Sequence, residues 1–199
     1  MNSQSLKSIE TFLAKKYIYL NKQWIQQNID NLTRLNNNLN SSTLEESIYQ
    51  EFLKTNLKEA IDLQKVINLK DKINKDIKHS IIQGYYLFQI EDFINIAESF
   101  YKVNQNSNNL DVVDEEVETV YLKNEDEKVK KVYEKKIFKL KLTQGLNEET
   151  NNYIYGFEYK PIRNIDKYIE NKYQKILIGP TFQARIGFIY LTNENTKFM

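Results

Sequence analysis

The stretch Phe138-Lys-Leu-Lys-Leu-Thr-Gln-Gly145 and, after a polar gap, Tyr153-Ile-Tyr-Gly-Phe-Glu-Tyr159 decides the fold. In the first, Phe138, Leu140 and Leu142 alternate with Lys139 and Lys141, the two-residue period of a half-buried strand. In the second, Tyr153, Tyr155, Phe157 and Tyr159 share one face, which the alternation of large aromatics assigns to the interior. Upstream, 84–101 is rich in Tyr, Phe and Ile and suits a long bent strand. Downstream, 175–178 and 185–191 supply two more strands parted by Gly179-Pro180, and 165–169 reads as a helical turn before them.

Five strands with a short helix between the third and fourth predict a five-stranded antiparallel OB-fold barrel over 84–199. Phe138, Leu140, Leu142, Ile176, Ile178 and Leu191 are its expected core. The first sixty residues carry a different period. Leu6, Ile9, Leu13, Tyr17 and Leu20 step by three and four, and Trp24, Ile25, Ile29, Leu32 and Leu35 form a second stripe. Leu44, Ile48, Phe52 and Leu57 form a third. Three short amphipathic helices cannot bury their stripes alone, so 1–62 is expected to be a three-helix bundle, with Trp24 in its core. The fold class is therefore α+β, with 63–83 as a polar connector.

Between the first two strands, about 103–136 holds nine acids, six Lys and an Asn/Ser run, with no long core periodicity. An excursion of that length inside a small barrel reads either as a functional insert or as a solvated, partly disordered one.

Composition narrows the chemistry. The 199 residues carry 28 Lys+Arg against 27 Asp+Glu, no Cys and one His. Thiol catalysis, disulfide frameworks and Cys- or His-built zinc sites are excluded. No phosphate-binding Gly loop or nucleophile elbow is present, His79 lies in a polar connector, and Glu158 is expected to orient neighbouring backbone. The acids Asp114, Glu115, Glu116 and Glu118 read as a solvated run. No secretory signal or membrane-length apolar run is visible, so the reading is a soluble intracellular protein with no catalytic residues, no metal and no cofactor. The 24 Asn residues match an AT-rich coding bias, so Asn clusters are not read as function.

Several motifs, in order, resemble one family. Lys139-Leu-Lys-Leu-Thr-Gln-Gly145, Ile154-Tyr-Gly-Phe-Glu-Tyr-Lys-Pro-Ile162, Lys175-Ile-Leu-Ile178 and Arg185-Ile-Gly-Phe-Ile-Tyr-Leu191 are similar to the N-terminal domain of the RecQ-mediated genome instability protein 1 family. Gly84-Tyr-Tyr-Leu-Phe-Gln-Ile90 is similar to that family's first strand, and Tyr49-Gln-Glu-Phe-Leu-Lys-Thr-Asn-Leu57 to its helical part. Gln144 and Asn56 stand where the family has Asp, and the family's Pro-Pro-Gly turn is replaced by Glu170-Asn-Lys-Tyr-Gln.

The resemblance implies a non-catalytic, nuclear subunit of a RecQ helicase–type IA topoisomerase complex that dissolves recombination intermediates, with weak or indirect DNA contact and no membrane. It implies that the barrel and its 103–136 insert bind the topoisomerase. Val117, Val120, Tyr121 and Leu122 are the expected insert anchors, and Lys175 and Arg185 the expected cations on the barrel. The competing expectation is an OB-fold binder of single-stranded nucleic acid or a telomere-associated scaffold, against which the weak +3 balance of 137–199 counts.

Overall fold

The computed structural model describes residues 3–35, 41–70, 72–73, 78–97, 136–146 and 153–199. The predicted stripes fold as helices α1 (Ser3–Ala14), α2 (Lys22–Leu35) and α3 (Ser41–Lys54), followed by the single turn α4 (Leu57–Ala60). Ile9 and Leu13 of α1, Ile25 and Ile29 of α2, and Leu44, Ile48 and Phe52 of α3 converge in one buried cluster, with Trp24 packed at its margin. Burying each such side chain stabilises by roughly 1.5–3 kcal/mol, which short helices need because their propensity alone is insufficient. The cluster also contains Leu87 and Leu177 from the barrel, so the helices and the barrel share a core. Asn56 caps α4 by accepting from the Lys58 N–H at 3.2 Å.

The barrel contains β1 (Ser80–Gln83), β2 (Tyr86–Asn95), β3 (Phe138–Thr143), β4 (Tyr153–Glu158), α5 (Ile165–Ile169), β5 (Lys175–Ile178), β6 (Thr181–Arg185), β7 (Phe188–Leu191) and β8 (Thr196–Phe198). These form one sheet in the order β1-β6-β7-β4-β3-β2-β5-β8. The expectation of five antiparallel strands is corrected in two respects. Eight strands are present among the described residues, and β4 pairs with β7 in parallel, because the chain crosses over through α5, β5 and β6 before returning.

Two bends account for β1 and β6, and β8 is a further short strand paired with β5. β1 and β2 are arms of one run bent at Gly84-Tyr85, and β5 and β6 are arms of another bent at Gly179-Pro180. β1 pairs with β6 while β2 pairs with β5, so the same two bent runs meet at both ends of the strand order and the sheet closes on itself. At the crossing, the Gly84 N–H donates to the Pro180 carbonyl at 2.7 Å. A Cβ on Gly179 would lie 2.5 Å from the Gly84 oxygen, so only glycine fits there.

Phe138, Leu140, Leu142, Ile176, Ile178 and Leu191 are all buried in the barrel core with Phe88, Ile154, Phe182 and Ile189. β1 starts at Ser80, and Leu69 and Ile73 join the same core, so the stretch 63–83 packs onto the barrel at those points. Among the described residues no helix is long and apolar enough to cross a membrane.

Candidate binding face of the barrel

Strand parity builds the face. On β3, Leu140 and Leu142 point inward, which sends Lys139 and Lys141 outward. The β3–β4 register sets Phe157 opposite Lys139, Tyr155 opposite Lys141 and Tyr153 opposite Thr143. The β4–β7 register adds Phe188 beside Tyr155 and Tyr190 beside Phe157. The result is an outer surface of aromatic rings on β4 and β7, flanked by the two lysines of β3.

This corrects the expected interior position of Tyr153, Tyr155, Phe157 and Tyr159. The residues of β4 that face inward are Ile154, Gly156 and Glu158. Gly156 is inside because Leu191 and Leu142 occupy its space: a Cβ there would lie 2.6 Å from Leu191 Cδ1. Glu158 is inside because its carboxylate accepts from the Phe138 N–H at 3.0 Å and the Ile162 N–H at 2.8 Å, the backbone-orienting role expected of it. The rings are displaced outward as a set. Tyr155 is 38% exposed and Tyr159 57%.

The rings and cations contact each other. Tyr159 and Tyr190 stack with centroids 4.9 Å apart and planes 7° from parallel. Tyr155 and Phe188 are 5.9 Å apart, and Phe157 and Tyr190 6.3 Å. Lys141 Nζ lies 3.9 Å from the Tyr153 centroid, and Lys139 Nζ lies 4.5 Å from that of Tyr155 and 5.4 Å from that of Phe188. At the β6–β7 turn, Arg185 is exposed and pairs with Phe188. Arg185, Ile186, Phe188, Phe157 and Tyr190 border a shallow depression of ≈ 400 Å³. The parity of Lys139 and Lys141 was the available signal for this face, since their ladder neighbours on β4 must point the same way.

Lys175 is elsewhere. The expectation of a surface cation on the motif strand is corrected: the residue is 1% exposed and faces the helices. Its ammonium donates to the carbonyls of Thr55 at 2.6 Å, Tyr173 at 3.0 Å and Leu53 at 3.2 Å, with the Phe52 ring centroid 4.9 Å away. Burial lowers its pKa from the ordinary lysine value to about 8. Gln144 is a second junction residue: its side chain accepts from the Leu69 N–H at 2.9 Å and donates to the Ile67 carbonyl at 3.0 Å. Val117, Val120, Tyr121 and Leu122, with the acids 114–118, lie outside the described residues. His79 is exposed, and no group of three or more His, Asp or Glu that could hold a metal ion occurs among the described residues.

A comparison with protein-family models matches residues 59–199 to the family described as RMI1, N-terminal OB-fold domain. A search of curated proteins finds no match.

Proposed function

The chain belongs to the RMI1 N-terminal OB-fold family, and on that premise we propose that it is a non-catalytic scaffold subunit of a RecQ helicase–type IA topoisomerase complex in the nucleus. In this reading it docks the topoisomerase through the barrel and residues 103–136 and promotes the dissolution of recombination intermediates. Val117, Val120, Tyr121 and Leu122 supply the apolar contacts of that segment, and Arg185 offers a forked cation for a partner carboxylate.

The observation that supports the reading most is the way the barrel grips the chain on either side of residues 98–135. The Ile96 N–H donates to the Ile137 carbonyl at 2.8 Å, and the Ile137 N–H donates to Asn95 Oδ1 at 3.1 Å. One residue on, the Phe138 N–H is held by the buried Glu158. The segment therefore leaves and rejoins the barrel at one fixed edge of the β2–β3 ladder, and a partner bound along it is tied to that edge.

Affinity capture of the tagged chain from its native organism, with and without residues 103–136, tests this. The full chain should retain a type IA topoisomerase and a RecQ-type helicase, and the deletion should lose most of the topoisomerase. Failure of the full chain to retain either enzyme would overturn the reading.

A further inference from the structure

The docking reading leaves the helices without a partner of their own. Where α1 ends and α2 begins, a groove of ≈ 440 Å³ opens between the two helices and the stretch 62–65. We propose that this groove binds an acidic segment of a partner protein. Lys7, Lys22 and Lys65 pair with its carboxylates, Tyr19 supports an apolar side chain, and Glu10 is an internal competitor for the same lysines.

The first observation is that the walls are built by specific contacts. At the end of α1 the Ile18 N–H donates to the Leu13 carbonyl at 3.1 Å and the Tyr17 N–H to the Ala14 carbonyl at 3.0 Å, with Tyr17 at φ 62°. The Tyr17 ring stacks on Tyr85, at the bend between β1 and β2, with centroids 3.9 Å apart. The chain that follows clips 62–65 in place. The Asp62 N–H donates to the Tyr19 carbonyl at 2.9 Å, and the Asn21 N–H to the Ala60 carbonyl at 2.8 Å. Lys65 is thereby brought to the groove beside Lys22. Lys7, Glu10 and Ala14 share one face of α1, and the small Ala14 side chain leaves the groove open.

The second is charge. Glu10 Oε1 stands between two ammonium groups from different elements, Lys22 Nζ at 4.0 Å and Lys65 Nζ at 3.9 Å. Both distances are too long for a hydrogen bond, so the donors of neither lysine are used up by Glu10. Lys65 also meets Asp62 at 3.3 Å. The Lys22 side chain is 64% exposed, and Lys7 is exposed and makes no ion pair among the described residues. Three lysines are thus matched by two acids, and a ligand carboxylate can take the place that Glu10 holds.

The third is the mixture of surfaces. Tyr19 is 40% exposed at the rim, above a floor that includes Leu13, Ile18 and Ile25. A protein segment that mixes acids with apolar residues uses both the cations and the ring. A phosphate backbone suits the site less well, because Glu10 and Asp62 lie among the lysines. Both helices also lie outside the matched residues 59–199, so the groove is separate from the OB domain.

The test uses the full chain and a fluorescein-labelled peptide of four Asp-Leu-Glu repeats, followed by anisotropy at about 50 mM salt. Affinity should fall severalfold when salt is raised to about 300 mM, because the rim charges are screened. The same peptide with Asn and Gln in place of its acids should bind at least about tenfold more weakly. Lys7→Gln combined with Lys22→Gln should weaken binding by about five- to tenfold. Tyr19→Ala should weaken it by about fivefold. Glu10→Gln should tighten it by about threefold, since the competitor is gone. Lys167→Gln, a charge control on α5, should leave it unchanged. Thermal melts confirm that each variant is folded.

Absence of binding at low salt, equal binding of the neutral peptide, or indifference to the double lysine change would overturn the proposal. So would weaker binding by Glu10→Gln, which would make Glu10 a structural brace for the two lysines. Complete displacement of the peptide by an equimolar oligothymidylate would also overturn it, because the groove would then be a general polyanion site. Because no topoisomerase is present, these outcomes leave the docking reading untouched, and failure of docking leaves this one standing.

Discussion

Gln89 and Lys175 stand opposite each other in the β2–β5 ladder, and together they hold both sides of the link between α3 and α4. Lys175 donates to the Leu53 and Thr55 carbonyls, where the end of α3 concentrates negative partial charge. Gln89 accepts from the Leu57 N–H, which opens α4, at 2.8 Å. One cross-strand pair thus supplies the donor and the acceptor that a helix–helix link buried against a sheet requires. The helices are thereby fixed to the barrel by polar geometry as well as by the packing of Leu87 and Leu177 into the helical core.

Removing the ammonium should therefore damage the fold. Lys175→Met is expected to cost about 2–4 kcal/mol at neutral pH, since it removes the donor to three half-buried carbonyls. Denaturant titration of the two proteins checks the figure.

The same residue predicts a pH signature. Its folded pKa of about 8 lies below the unfolded value, so between about pH 8 and 10.5 the unfolded chain holds a proton the folded chain has released. Stability contributed by this site should rise with pH across that window. Melting curves should show the wild type gaining on Lys175→Met between pH 7.5 and 9.5, whereas a parallel trend in both proteins would argue against it.

The inward position of Gly156 gives a steric prediction. Gly156→Ala would push a methyl to 2.6 Å from Leu191 Cδ1 and 3.2 Å from Leu142 Cδ1. Overpacking of that kind costs roughly 1–3 kcal/mol, visible as a lower denaturation midpoint with an unchanged slope.

The phase of β4 can be tested by a matched pair. Ile154→Asp places a carboxylate in the barrel core and should prevent folding, while Tyr155→Asp, one residue on, should leave the folded content within about 1 kcal/mol of wild type. Circular dichroism melts distinguish the two. Equal damage by both would contradict the assigned register.

The sequence made β3 legible because its two faces differ in kind: Phe138, Leu140 and Leu142 against Lys139 and Lys141. On β4 the hydrophobic signal was inverted. The inner face is written with Ile154, Gly156 and Glu158, and the last two owe their place to Leu191 packing and to the Phe138 and Ile162 amides, contacts that alternation cannot express. The burial of Lys175 is illegible for a related reason. β5 is buried on both sides, barrel core against Ile176 and Ile178 and helices against Lys175 and Leu177, so the polarity of a single residue says little about its exposure. The bends at Gly84 and Gly179 carried a glycine signal, but their pairing with each other is a tertiary fact. The family motifs run through these same positions and still indicate the family, because a motif records residues irrespective of which way they point.

The most direct measurement of the scaffold account is decatenation by the type IA topoisomerase of the same organism, assayed with the wild-type chain and with the variant Val120→Ser, Tyr121→Ser, Leu122→Ser. The account predicts that the variant melts at the wild-type temperature and that its effect on the decatenation rate differs severalfold from that of the wild type. A decatenation rate identical with either protein, or a topoisomerase indifferent to the wild-type chain, would contradict it.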